Sequence, residues 1–236
     1  MFSIKVGTIS TSDYAPFEAP DPGFRVPNGY GVVHTDACSM WKTEGVAQPL
    51  GSPSRLEFHD PVERATTLRC YRGAVGLTGV FFPAWQHWMC ASTRPPHLRA
   101  LNPREGFTDH YREFAFHVGI PEIGLTTKLP TSRFDTPYDR NFGIAENFVV
   151  SMSKHPLDDE YWADERPRLD PIEVPALVCA SWSDQGLHSR GTLLWLEKWC
   201  ASAVIRGVLL RGHSPICGEI RSRGGPAVGR LEGVRG

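Results

Sequence analysis

Ala74–Ser92 reads AVGLTGVFFPAWQHWMCAS, and this stretch decides the fold class. Its first seven residues, Ala74–Val80, form a short apolar run that predicts a buried strand, and the glycines within the run mark a tight exit. A helix is expected directly afterwards, over Phe82–Ser92, because Pro83 is tolerated in the first turn of a helix. The stretch therefore predicts a strand that turns sharply into a helix.

The rest of the chain repeats this alternation of strands and helices. Four further apolar runs predict strands, and they lie at Gly29–Ala37, His97–Asn102, Val174–Ala180 and Val204–Leu210. A helix is expected over Thr192–Ala203, between the last two strands. Because strands and helices alternate, the sequence predicts an α/β fold with a mostly parallel sheet covered by helices.

Two long segments lack a strand signal. Cys38–Arg72 is poorly patterned, and its prolines, Pro61 among them, argue against any long helix there. Gly106–Leu169 is polar and aromatic, and it predicts a helical cap with helices over Thr108–His117 and Asp158–Glu165. Such a cap would lie at the carboxyl edge of the sheet, where ligand sites of α/β proteins are found.

Composition excludes several classes of function. The net charge is −1, so the chain has no basic surplus for nucleic acid. No apolar run approaches the roughly 18 residues that cross a bilayer, and the first ten residues do not resemble a signal peptide. Six cysteines show neither a disulfide framework nor metal-site spacing, which indicates free thiols in the cytoplasm. No metal or cofactor site is expected.

Three stretches in chain order resemble one known family of enzymes. Gly76–Ala84 (GLTGVFFPA), with Gln86 and Trp88 after it, resembles the G-x-x-G-V-S-Y-x-A elbow and following helix of cocaine-esterase-like hydrolases. Pro95–Asp109 (PPHLRALNPREGFTD) and Val174–Gly191 (VPALVCASWSDQGLHSRG) resemble two later segments of the same proteins. The chain is thus similar to the cocaine esterase and X-prolyl dipeptidyl-peptidase-like (CocE/NonD) hydrolases.

The resemblance implies an α/β-hydrolase fold with helices on both faces of the sheet and a helical cap. It implies an acyl-enzyme mechanism on small esters, on amides or on X-Pro peptides, carried by a serine, an aspartate and a histidine in that order. Relative to the family, the chain is expected to lack part of the N-terminal strands and the C-terminal jelly-roll domain. The expected division is an irregular segment over 1–28, a hydrolase domain over 29–210 with the cap at about 106–170, and a disordered tail over 211–236.

The resemblance also assigns the candidate site residues. Phe81 stands at the nucleophile position, where a phenyl ring has no lone pair to attack a carbonyl. Asp184 matches the acid of the triad, which would orient and stabilise the histidine. His213 follows the last strand and is the candidate base. Pro83 has no N–H, so the Phe82 amide is left as the oxyanion donor on that side.

Three interpretations stay open at this point. The first is a serine hydrolase homologue that is inactive because of Phe81. The second is a non-catalytic binding module that uses the capped pocket. The third is a truncated or mispredicted gene product. The sequence does not fix a substrate or an oligomeric state.

Overall fold

The structure is a computed structural model, and it describes residues 11–16, 18–36, 54–125, 148–181, 186–199 and 205–211. The six strands are β1 (Val75–Val80), β2 (Leu98–Arg104), β3 (Phe116–His117), β4 (Ile120–Pro121), β5 (Ala176–Ser181) and β6 (Ile205–Arg211). The α-helices are α1 (Pro22–Arg25), α2 (Ser54–Ala65), α3 (Phe82–Ser92), α4 (Phe148–Lys154), α5 (Glu160–Asp164) and α6 (Ser189–Trp199). A 3₁₀ turn covers Val26–Asn28 and a π-helical turn covers Tyr111–Ala115.

Four of these strands form one parallel sheet in the order β1-β2-β5-β6. The strands predicted near 74–80, 97–102, 174–180 and 204–210 are therefore confirmed. Val80 pairs with Arg104, and Arg104 pairs with Cys179, so the carboxyl ends of three strands meet at one edge. Whatever follows these strands is brought together at that edge.

The predicted strand over Gly29–Ala37 is wrong for its described part, because residues 29–36 form no strand. Their side chains are mostly exposed, with Tyr30 and Val33 each 48% exposed. At the carboxyl end of β1, the Val80 N–H donates to the carbonyl of Glu18 (3.0 Å). A β-branched run forms a strand only where a neighbouring strand and a buried face are available, and this run has neither.

The expectation that prolines prevent a long helix before residue 72 is also wrong. α2 has 12 residues and contains Pro61 in its interior. A proline inside a helix costs about 3 kcal/mol. The burial of Val62, together with Phe58 packed against the same core, offsets that cost.

The main core lies between the sheet and a layer of helices on one of its faces. Trp88 of α3 stacks on Trp195 of α6, with ring centroids 4.5 Å apart. Leu101 of β2 and Val178 of β5 are buried against the same cluster. α3 forms as predicted, with a proline in its first turn, and every residue from Ala84 to Ser92 is buried. Because its residues are buried on every face, α3 is a central helix of the hydrophobic core.

The cap packs on α3 through a second, mostly aromatic core, and it is not wholly helical. Trp162 of α5 is fully buried and contacts the rings of Tyr111, Phe116 and Phe148. Its indole N–H donates to the His155 carbonyl (2.8 Å). The segment predicted as helix over Thr108–His117 is instead a π-helical turn followed by the antiparallel β3–β4 pair. Gly119 has a φ of +82° and allows the tight turn between these two strands, which a periodicity argument did not anticipate.

An ion-pair network joins the two described parts of the cap. Asp109 pairs with Arg112 (2.8 Å) and with Arg166 (3.1 Å), and Asp158 pairs with the same two arginines. Burial alone would raise the pKa of Asp109, yet hydrogen bonds from Arg112 and the charges of both arginines hold this pKa below its ordinary value. The described contacts of Asp109 thus give it a structural role in the cap.

Glu113 connects the cap to the helical layer. Its carboxylate accepts hydrogen bonds from the amides of Thr108 (2.8 Å) and Asp109 (3.3 Å). Gly191 of α6 lies so close that a Cβ at this position would overlap the same carboxylate. Glu113 is 1% exposed. Burial is the main cause that raises the pKa of Glu113 to about 7, against the opposing hydrogen bonds.

We expect Trp162→Ala to lower the free energy of unfolding by about 3–5 kcal/mol, because it leaves a cavity among the cap aromatics. Trp162→Phe is the matched control, since it keeps a ring and removes only the indole hydrogen bond. Its loss should be about 1–2 kcal/mol. Urea unfolding followed by tryptophan fluorescence and circular dichroism measures both. Equal losses for the two variants would contradict the packing role.

Glu113 should make stability fall with rising pH between about 4.5 and 7. The folded chain holds this proton at a higher pH than the unfolded chain does, so the protonated, more stable folded state is lost as pH passes 7. Between pH 5 and 8 the loss should be about 3 kcal/mol, and Glu113→Gln should remove it. Burial lowers the pKa of His87, His110 and His188 to about 3, which gives the opposite slope. The quantity to measure is therefore the difference in free energy of unfolding between the unmodified chain and Glu113→Gln at each pH. If this difference is the same at pH 5 and pH 8, the prediction is contradicted.

Candidate active site

Phe81 lies at the turn between β1 and α3 in a strained backbone conformation. Its φ is 59° and its ψ is −114°, which is an outlier for a bulky residue. Two hydrogen bonds fix the turn: the Phe81 N–H donates to the Arg104 carbonyl (3.0 Å), and the Phe81 carbonyl accepts from the Trp85 N–H (3.2 Å). Such a conformation costs of order 1–3 kcal/mol and persists where its surroundings enforce it. A sharp strand-to-helix turn is the geometry that presents a nucleophile in α/β-hydrolases.

Gly79 is the residue that lets the helix return so close to the strand. A Cβ at position 79 would be 2.6 Å from the Cβ of Pro83 and 3.2 Å from Cε1 of His87. Backbone and ring atoms cannot yield by that much in a fully buried helix. The small residue two positions before the turn is thus required by packing.

The ring of Phe81 rests on other aromatic rings. It meets His188 edge-on, with centroids 4.9 Å apart, and meets Phe107 at 5.8 Å. Phe107 in turn stacks on His188 (5.9 Å) and on Trp85 (6.1 Å). The Phe81 ring is therefore part of a packed cluster of aromatic side chains at the turn.

The first turn of α3 has few backbone donors. Phe81 is its N-cap residue and makes no capping hydrogen bond through its side chain. The first N–H groups of a helix have no partner within the helix, and the Phe82 amide is one of them. Pro83 has no N–H to donate. No acidic side chain lies in this first turn.

His188 stands at the start of α6 as a neutral, buried ring. Burial lowers the pKa of His188 to about 3. Beside it, the Ser189 hydroxyl donates to the Ser181 carbonyl (2.8 Å), and the Thr192 hydroxyl donates to the carbonyl of Gly106 (3.3 Å). These bonds tie the end of β5 and the start of the cap to the start of α6.

Two of the candidate site residues lie outside the described residues. Asp184 falls between Ser181, the last residue of β5, and Gly186. His213 follows Arg211, the last residue of β6. The structure thus shows the carboxyl ends of the two strands that precede these residues, and both belong to the sheet edge that carries Phe81.

Two further polar side chains, Thr78 in β1 and His97 just before β2, have structural partners. The Thr78 hydroxyl, three residues before the turn, donates to the side-chain oxygen of Asn102 (3.1 Å). His97 pairs with Glu63 (2.5 Å). Within the described ranges, no three His, Cys, Asp or Glu side chains come together in a way that could hold a metal ion. None of the described helices is long and apolar enough to span a bilayer.

The sequence did not single out Arg104, which the structure buries beside the turn. Arg104 is the last residue of β2 and is 8% exposed. One sequence feature pointed to this residue, because Arg104 ends β2, the strand that pairs with the elbow strand β1. Burial of the guanidinium, however, is visible only once the strands are paired.

Comparison with known proteins gives one family. Residues 9–141 match the model of the X-Pro dipeptidyl-peptidase (S15) family. A comparison with curated protein sequences gives no match. Among solved structures, the chain is similar to a CocE/NonD family hydrolase from Staphylococcus aureus. One crystal structure of it is 36% identical over 88% of this chain, with a TM-score of 0.78. A second structure of that hydrolase is 35% identical over 89% of this chain, with a TM-score of 0.76.

This chain spans 37% of the length of the Staphylococcus aureus hydrolase in both structures. The matched fold, a parallel sheet that carries a strand–turn–helix elbow, confirms the α/β-hydrolase class expected from the sequence. The family match covers more than half of the chain and includes the elbow. The chain belongs to the X-Pro dipeptidyl-peptidase (S15) family, together with the CocE/NonD hydrolases that it resembles in structure.

Proposed function

We propose that this chain carries the acyl-hydrolase site of its family and that Phe81 deprives the site of serine-type activity. The observation that carries the proposal is the backbone of Phe81, with a φ of 59° at the strand-to-helix turn. This strained turn is where an α/β-hydrolase holds its nucleophile. A phenyl ring there offers neither a lone pair nor a proton to transfer.

The remaining members of the proposed triad are Asp184 and His213. In the family order, the aspartate follows the strand that is β5 here, and the histidine follows the strand that is β6. Because parallel strands end at the same edge of a sheet, residues that follow β5 and β6 start near the turn at Phe81. Asp184 would orient the imidazole of His213, and His213 would take the proton from a nucleophile.

Stabilisation of an oxyanion is proposed to come from the Phe82 amide. This amide is the first N–H of α3, and the positive end of the helix macrodipole lies there. Pro83 cannot contribute a second donor from the same turn. Each preorganised donor to an oxyanion contributes about a hundredfold to a thousandfold in turnover. A second N–H donor, from elsewhere than this turn, is therefore needed for efficient turnover.

The proposed substrates are small esters, amides or X-Pro peptides, as the family implies. The aromatic wall formed by Phe81, Phe107, Trp85 and His188 suits an apolar acyl or prolyl group. His188 is neutral at physiological pH because burial lowers its pKa to about 3, so it adds no charge to this wall. The described cysteines Cys70, Cys90 and Cys179 are free thiols, which fits the cytoplasmic location we propose.

The unmodified chain should not hydrolyse p-nitrophenyl esters or X-Pro anilides above the buffer rate. Removing the nucleophile of a triad costs on the order of a million-fold in turnover. Initial rates at several enzyme concentrations measure this, and labelling with a fluorophosphonate probe provides an independent readout. Labelling of the unmodified chain would show that its nucleophile lies elsewhere than position 81.

Phe81→Ser should introduce ester hydrolysis at a rate at least about a hundredfold above that of the unmodified chain. Phe81→Ala is the matched control, since it opens the same space without a hydroxyl and should stay inactive. Asp184→Asn in the Phe81→Ser background should abolish most of the gain, because the histidine loses its orienting partner.

Each variant should first be shown to fold by circular dichroism and thermal unfolding. Equal activity in the serine and alanine variants would contradict the assignment of position 81. A serine variant that folds and gives no hydrolysis would contradict an otherwise complete site.

A further inference from the structure

Glu113 lies where the cap meets the first turn of α6. Its side chain is buried, and its carboxyl group packs so closely against the backbone at Gly191 that a Cβ there would overlap it. Beside this contact, the Arg190 guanidinium donates to the carbonyl of Arg112 (3.3 Å). The junction between the cap and α6 is therefore built around one buried carboxyl group.

The hydrogen bonds of this carboxyl group can all be made by its protonated form. Oε2 accepts from the amides of Thr108 (2.8 Å) and Asp109 (3.3 Å). Oε1 lies 3.4 Å from the hydroxyl oxygen of Thr108. A proton on Oε1 can be donated to that oxygen, because a threonine hydroxyl accepts as well as donates. The ionised form would keep these partners and add a buried negative charge.

The charged side chains around Glu113 do not balance such a charge. Within the described residues no cation forms an ion pair with Glu113, and Arg112 is engaged by Asp109 (2.8 Å) and Asp158 (2.6 Å). The charge of Arg190 favours the ionised form of Glu113, whereas the negative charge of Asp109 opposes it. A buried charge without a partner is unfavourable, and a carboxyl group in such a place tends to keep its proton.

The other titratable groups on the neighbouring segments add no positive charge. Burial lowers the pKa of His110 and the pKa of His188 to about 3, so both rings are neutral. Glu105 adds negative charge, which together with burial raises the pKa of the Cys179 thiol. These surroundings agree with the raised pKa of Glu113, which is about 7 and is caused mainly by burial.

We propose that Glu113 is a proton-operated latch, which fastens the cap to α6 while its carboxyl group is protonated and releases the cap when that group ionises. In the released state the carboxylate can reach water or the guanidinium of Arg190. His188, directly before α6, packs on the ring of Phe81, so the latch also acts on the surroundings of the elbow. The latch does not depend on catalysis, and its test is separate from that of the hydrolase proposal.

Amide hydrogen exchange of the full unmodified chain tests the latch, followed by mass spectrometry at pH 5 and pH 8 in low concentrations of urea. After correction for the intrinsic effect of pH on exchange, protection of Thr108–His117 should be at least about tenfold lower at pH 8 than at pH 5. Exchange of this segment at pH 8 should change little with urea, because a local opening exposes little surface, whereas exchange of α3 should rise steeply.

Glu113→Gln is the matched variant, because its amide is an uncharged isostere of the protonated carboxyl group. It should keep the protection seen at pH 5 at both pH values. A pH effect that survives Glu113→Gln would belong to another group and would overturn the proposal. Exchange of Thr108–His117 at pH 8 that depends on urea as steeply as exchange of α3 would also overturn it, because the cap would then separate only on global unfolding.

Gly191→Ala provides a second test from the other side of the contact. Its Cβ would occupy the place of the Glu113 carboxyl group, so it should lower protection of Thr108–His117 at pH 5 to the level of the unmodified chain at pH 8. Gly186→Ala is the control, since a Cβ at position 186 meets nothing within 4 Å and should leave protection unchanged. Full protection in a folded Gly191→Ala chain at pH 5 would overturn the proposal. If that variant does not fold, the comparison with Glu113→Gln decides alone.

Discussion

The strained turn at Phe81 is the constraint on which the rest of the structure depends. A non-glycine residue with a φ of 59° is held only because the strand before it and the helix after it are both fixed. The strand is fixed by its pairing with β2, through the Arg104 carbonyl among other bonds. The helix is fixed by burial on every side from Ala84 onward. Position 79 must then be glycine, because the helix crosses directly over it.

The cap depends on this arrangement in turn. Phe107 contacts the Phe81 ring and the cap ring of Phe114, so the elbow and the cap belong to one aromatic cluster. Glu113 and Gly191 add a close contact between the cap and α6, one that leaves no space for a Cβ at position 191. The ion pairs of Asp109 and Asp158 hold the two described parts of the cap to each other. The cap is consequently packed against the elbow helix through a shared aromatic cluster.

Local pattern predicted much of the fold. Four strands and α3 could be found from the sequence because each is a short apolar run bounded by turn residues, and buried parallel strands leave that signature. The run before Ala37 has the same signature and is not a strand in its described part, because pairing is a tertiary property that the run does not encode. α2 was missed for the opposite reason: burial of Val62 outweighs a proline that local rules count against a helix. Of the candidate site, the elbow could be placed because Gly76–Ala84 resembles the elbow motif of the family, whereas the burial of Arg104 could be seen only once the strands were paired.

The backbone of the elbow bears on which substitutions position 81 can accept. The scaffold imposes the strained conformation on whichever residue stands at position 81, and a phenylalanine accepts it with its ring packed on His188 and Phe107. The backbone of the turn is thus set by the strand and helix around it and not by the chemistry of the side chain at position 81. Phenylalanine and serine codons are neighbours in the genetic code. A single base change can therefore exchange phenylalanine for serine at position 81, while the packing around the turn continues to hold the elbow.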